Sequence, residues 1–152
     1  SKLMILLSFQ ILNTKVIFNA KKTKGDSNVT GDLTFNQVDI NIGAAFDGTA
    51  FKVPISGIYK LSFSGQSASG KISYSQITVY CKAFYGFGYI NVPQLAINDG
   101  NDAEKGDGNN LSYTWMMTLV QGDELTLKST NYLHASSLYP LTFTGELIHI
   151  EN

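Results

Sequence analysis

The stretch "FDGTAFKVPISGIYKLSF", residues 46–63, decides how this chain is read. Two glycines and a proline punctuate two runs of alternating apolar residues. Asp47-Gly48 is a turn dipeptide, since Gly supplies the positive φ that a tight reversal demands. "AFKV" then reads as a short strand. Pro54 carries no N–H and ends its pairing, and Ser56-Gly57 turns the corner into the next strand. In "GIYKLSFSG" (57–65), Tyr59, Leu61 and Phe63 face one way and Lys60, Ser62 and Ser64 the other. A period of two marks a half-buried antiparallel strand.

The same period extends outward in both directions. "KVIFNA" (15–20) places Val16, Phe18 and Ala20 on one face. "QITVYCKAFY" (76–85) groups Ile77, Val79, Cys81 and Ala83, and "NLSYTWMMTLV" (110–120) groups Leu111, Tyr113, Trp115, Met117 and Leu119. "ELTLKST" (124–130) turns Leu125 and Leu127 inward, and "PLTFTGELIHI" (140–150) closes the series. Gly122-Asp123 is a second turn dipeptide. "TKGDSNVTG" (23–31) and "NDGNDAEKGDGNN" (98–110) read as polar loops. No window sustains a helical stripe. The expectation is an all-β fold, an antiparallel two-sheet jelly-roll sandwich of about ten strands.

Composition agrees with one domain. The chain has 152 residues, with nine Phe, eight Tyr and one Trp but only 15% charged residues, which is ample core material for a single sandwich. A net charge of −1 argues against nucleic acid, which selects a basic face. The single Cys81 cannot form an internal disulfide. The start, "SKLMILLSFQIL", has one Lys and a short apolar run without a small-residue cleavage site, and it is too short to span a bilayer. It is read as an N-terminal extension, residues 1–14, buried either on the domain or between subunits. The domain proper is residues 15–152, with no membrane insertion.

Five segments in order resemble the globular head (C1q-domain) family of complement C1q, within the wider tumour-necrosis-factor-like jelly rolls. They are "VIFNA", "LTFNQVDINIGAAFD", "FKVPISGIYKLSF", "MTLVQGDELTL" and "TFTGELIHI". The resemblance covers roughly residues 15 to 150, and its most specific piece is Phe-x-x-Pro-x-x-Gly-x-Tyr-x-x-x-Phe. It implies a secreted, extracellular binding module, usually a homotrimer, that is lectin-like or otherwise recognises carbohydrate, microbial surfaces or extracellular proteins. Such heads serve innate immunity and are not catalysts. Three departures stand out. Glu146 occupies a position where the family usually has Phe, on the face opposite Phe143 and Leu147. "AFYGFGYINVPQLAINDG" (83–100) follows no tight family motif. No collagen-like repeat occurs in these residues.

Candidate sites each have a plain alternative. The acidic loop 98–110 offers oxygens suited to Ca²⁺, and by position Asp102 and Asp107 are nearest to the family's calcium aspartates. The plainer reading of the same loop is a solvated turn. "FYGFGY" (84–89) sets Tyr85, Phe87 and Tyr89 among glycines, suited to stacking on sugars or to protein contact, or else to subunit packing. Tyr132, His134 and Tyr139 in "NYLHASSLYP" offer a second polar-aromatic surface, though a plain loop is the simpler reading. Asn28-Val-Thr and Asn110-Leu-Ser fit the glycosylation pattern at loop-like positions.

No nucleophile elbow, zinc spacing or phosphate-cradling glycine motif occurs. Cys81, on an inward face, reads as an inert small hydrophobe. The functional expectation is a trimeric recognition head acting through multivalency. The alternative is a receptor-activating ligand of the tumour-necrosis-factor type or a structural assembly domain.

Overall fold

The computed structural model describes residue 2 and residues 14–68, 76–82, 89–91, 95–96 and 110–151. Eleven strands are described: β1 (Ile17–Lys22), β2 (Asp26–Asp32), β3 (Gln37–Ile42), β4 (Phe51–Lys52), β5 (Gly57–Ser67), β6 (Gln76–Lys82), β7 (Tyr89–Asn91), β8 (Leu95–Ala96), β9 (Asn110–Leu119), β10 (Glu124–Ala135) and β11 (Leu141–Ile150). Every pairing is antiparallel. A front sheet runs β3-β1-β11-β5, with β9 on the far side of β5. A back sheet centres on β10, with β2 and β4 on one side and β6, carrying β7 and β8, on the other. The two join where the end of β10 pairs with the end of β5, Leu133 opposite Ser67 and His134 opposite Gln66. One continuous sheet thus folds over on itself, which is the jelly-roll sandwich the alternation predicts.

The opening stretch behaves largely as read. The Asp47 carboxylate accepts hydrogen bonds from the Thr49 and Ala50 amides at 2.9 and 2.8 Å. Gly48 sits at φ +99°, and Phe46 bridges Phe51 across the turn. These bonds hold the Asp47 carboxyl below its ordinary value of 3.8. Gly57 differs from the sequence reading. It opens β5 rather than turning the corner, and a Cβ there would lie 2.2 Å from the His149 carbonyl oxygen of β11. The glycine is required by a close backbone approach. The corner is instead tied by the Ser56 side chain, which accepts the Gln121 amide proton at 2.8 Å.

The core fills from both sheets. Tyr59, Leu61 and Phe63 are buried, with Lys60 and Ser64 exposed and Ser62 half-buried between them. Phe18 is 1% exposed, with Phe46, Phe51 and Phe143 ring centroids 4.9, 4.8 and 5.0 Å away. The back sheet contributes Val79, Cys81, Leu125, Leu127 and Leu133. Burying each such Phe or Leu stabilises the fold by roughly 1.5–3 kcal/mol. The Tyr59 hydroxyl donates to the Ile55 carbonyl at 2.6 Å, and burial pushes its pKa up to about 12.

Two segments read as loops are strands. Most of "TKGDSNVTG" lies in β2, which pairs along β10 through Lys128–Asp32, Ser129–Gly31, Leu133–Val29 and Ala135–Asp26. Val29 alone points into the core; the long partner strand supplies the ladder that the polar sequence does not advertise. Likewise β10 runs on to Ala135 because it finds β2 on one flank and β5 near its end. Tyr132 and His134 therefore stand on a strand. Asn28 is also inside a strand, and Asn110 opens β9, so neither glycosylation candidate is in a loop.

Candidate binding and assembly surface

Cross-strand register aligns the outer face of the front sheet into rows. One row reads Ile42, Ile17, Glu146, Lys60, Met116 across β3, β1, β11, β5 and β9. The next reads Ile40, Asn19, Thr144, Ser62, Thr114. Directly opposed residues share a face, so these side chains form one contiguous surface. Its margins are apolar and open: Ile42 is 48% exposed and Met116 65%. Val38, Ile40 and Ile148 are exposed as well. Every residue of β3 is exposed. An edge strand presenting Ile40 and Ile42 to water is a liability in an isolated subunit.

The centre of this face is polar. Lys60, Ser62, Thr114, Thr144, Glu146 and Asn19 line a concavity of about 360 Å³. Ser62 and Thr144 hydroxyls bond each other. Glu146 projects outward while Gly145 packs inward against Phe18, as the alternation requires. The sequence marked Glu146 as anomalous but not its pairing with Lys60, which sits directly opposite it; only the register reveals that pair.

A second surface lies where β5 and β9 meet the turn after β10. Ser64, Gln66, Asn110, Ser112, Leu138 and Tyr139 line a groove of about 310 Å³. Leu138 is 83% exposed and Tyr139 58%. His134 packs edge-on to Tyr139 at 6.3 Å, and its Nδ1 is 3.2 Å from the Ser27 hydroxyl. Tyr132 is 41% exposed. Of the aromatic candidates, the structure thus brings His134 beside Tyr139 and leaves Tyr132 open to solvent. Amides, hydroxyls and a ring together can engage sugar hydroxyls or a peptide. Asn110 and Gln66 are directly opposed, a neighbourhood that residues so far apart in sequence do not advertise.

Tyr85, Phe87, Asp102 and Asp107 lie outside the described residues, as does the side chain of Tyr89. Among the described residues no group of three or more His, Cys, Asp or Glu side chains converges as a metal site. His149 is exposed, and no helix among the described residues is long and apolar enough to cross a membrane. Cys81 is 6% exposed, and burial, with the Asp123 carboxylate near it, pushes its thiol up to about 11. A thiol so protonated is a packing residue, not a nucleophile.

A curled, all-antiparallel two-sheet jelly roll is the fold of the class of C1q- and tumour-necrosis-factor-like domains. Within it, the sequence profile of the C1q domain matches residues 17–148, and the chain belongs to that family. The globular domain of the zebrafish complement 1qA protein superimposes with a TM-score of 0.67 at 16% identity, covering 90% of this chain and 99% of that one. Eiger TNF from S. frugiperda superimposes with a TM-score of 0.68 at 12% identity, covering 92% and 97%. At such identities the two structures share the fold with this chain. No curated protein matches it by sequence. C1q-domain proteins are typically extracellular, generally lack enzymatic activity, and with their tumour-necrosis-factor-like relatives typically trimerise.

Proposed function

We propose that this domain is a secreted, non-catalytic recognition head that works as a homotrimer, docking its copies through the outer face of the front sheet. The observation that carries this reading is the exposure of Ile40, Ile42 and Met116 in the aligned rows of that face. Membership of the C1q family supports a trimer as the assembly that covers it. A permanent trimer buries on the order of 2,000 Å² or more in such interfaces.

The ligand is a surface glycan, a microbial pattern or an extracellular protein, met at the strand ends by Tyr132, His134 and Tyr139, with Tyr85, Phe87 and Tyr89 as a further aromatic group. Ca²⁺ held by Asp102 and Asp107 is the cofactor this reading allows. Three weak sites on one rigid trimer raise avidity by roughly 10²–10⁴ on a multivalent target. Innate recognition of repetitive surfaces is the role that suits this arithmetic. The rival, a receptor-activating ligand, shares the fold; the C1q-domain match over residues 17–148 favours the recognition head.

The test is a glycan and bacterial-particle array probed with wild type, Tyr132→Ala, His134→Ala and Asp102→Asn/Asp107→Asn chains, with Ca²⁺ or EDTA. Binding that weakens in the aromatic variants supports the strand-end surface. Binding that vanishes in EDTA and in the double Asn variant supports the calcium loop. No binding to any glycan or particle, alongside activation of a cell-surface receptor, would replace this reading with the rival.

A further inference from the structure

Lys60 and Glu146 interrupt an otherwise apolar row. They are directly opposed across β5 and β11, flanked by Ile17 and Ile42 on one side and Met116 on the other. Both are exposed and line the same concavity. Among the described residues the ion pairs are Lys21–Asp39 at 3.1 Å and Lys52–Asp47 at 3.6 Å, so neither Lys60 nor Glu146 has an ion-pair partner there. Beside them, Asn19 Oδ1 is buried with no donor among the described residues. Water satisfies the two charges while the face is open. Covering the face with hydrocarbon would strand a cation and a carboxylate, which is costly without partners.

A second copy of this chain brings the complement of each charge. We infer that, in the assembled trimer, Lys60 of each subunit pairs with Glu146 of the next, and that this ring of pairs makes assembly selective for chains carrying both charges. The inference rests on the homotrimer proposed above. A cyclic trimer is built from heterologous contacts, so one Lys60–Glu146 geometry repeats at each interface and closes. Ion pairs inside an apolar rim act chiefly on register and partner choice: a copy lacking one charge leaves the other buried and unpaired.

The experiment compares trimer dissociation by native mass spectrometry across a dilution series for wild type, Lys60→Glu, Glu146→Lys, the double variant, and an equal mixture of the two single variants. Far-UV circular dichroism checks that each chain folds. Each single reversal is expected to shift the dissociation midpoint at least about tenfold. The double variant should return towards wild type. The mixture should form trimers containing both chains, because two of the three contacts in such a ring become complementary.

Recovery in the double variant without recovery in the mixture would place the pair within one chain and overturn the inference. So would single reversals that dissociate within about threefold of a trimeric wild type; the trimer would then stand without its ion pairs. A monomeric wild type would remove the trimer itself. If a reversed chain misfolds, Lys60→Met and Glu146→Gln make the same comparison: each alone should weaken assembly and their combination should restore it.

Discussion

Gly145 of β11 lies against the centre of the core, and adding one methyl there has a size that can be worked out. A Cβ at this position would stand 2.3 Å from Phe18 Cε1, 2.7 Å from Phe18 Cζ and 2.9 Å from Leu61 Cδ2. Carbon atoms in contact sit about 3.5–4.0 Å apart, so the Phe18 ring would have to retreat by more than an ångström. It has nowhere to go, being 1% exposed and held among Phe46, Phe51 and Phe143 with ring centroids within 5.0 Å. Overpacking of this kind costs typically 1–3 kcal/mol, and a rigid aromatic cluster puts Gly145→Ala near about 3 kcal/mol.

In a domain of this size that corresponds to a fall in Tm of roughly 6–12 °C. The assay is urea unfolding at fixed protomer concentration. Phe18→Leu alone removes part of the ring cluster and should also destabilise, but it opens the space the methyl needs. The double variant is therefore expected to lose at least about 1 kcal/mol less than the sum of the singles. Gly145→Ala within about 0.5 kcal/mol of wild type, or additive losses in the double variant, would refute this packing account.

The Asp47 turn carries a pH signature. Its carboxyl is held low by the Ala50 and Thr49 amides and by Lys52, so its contribution is present above the unfolded-state value and lost as pH falls through the folded one. Asp47→Ala should cost about 1 kcal/mol near pH 7, with the gap to wild type closing below about pH 4, as followed by urea midpoints across pH. Cys81, with its thiol raised to about 11, should react with a disulfide reagent at pH 8 roughly a hundredfold more slowly than a free thiol until the chain unfolds. Rapid native labelling would show that β6 exposes it.

Period-two alternation revealed the buried faces of β1, β5 and β11 because each packs one side on the core. Val16, Phe18, Ala20, Tyr59, Leu61, Phe63 and Phe143 all lie inside as read. On β9 the same pattern was only partly diagnostic. Leu111 and Leu119 are buried, but Trp115 and Met117 are half-exposed and Tyr113 is 39% exposed; among the described residues β9 pairs with β5 alone. β2 carries no strand signal of its own because its ladder is provided by β10 and its residues are largely polar. Glu146 could be flagged from its neighbours, whereas its relation to Lys60 depends on a strand register joining residues 86 positions apart. Asn19 as a buried acceptor, and Gln66 beside Asn110, are likewise products of pairing. Local sequence encodes which way a side chain points, and only the sheet decides what it points beside.

The central claim is that the front sheet's outer face is covered by copies of this chain. Sedimentation equilibrium over a wide concentration range, with Ca²⁺ and with EDTA, tests it most directly. The account predicts one species of three times the 16.6 kDa chain mass, persisting at micromolar protomer and reduced to monomer by Met116→Asp on a folded chain. A wild-type monomer at every concentration and in both buffers would contradict it.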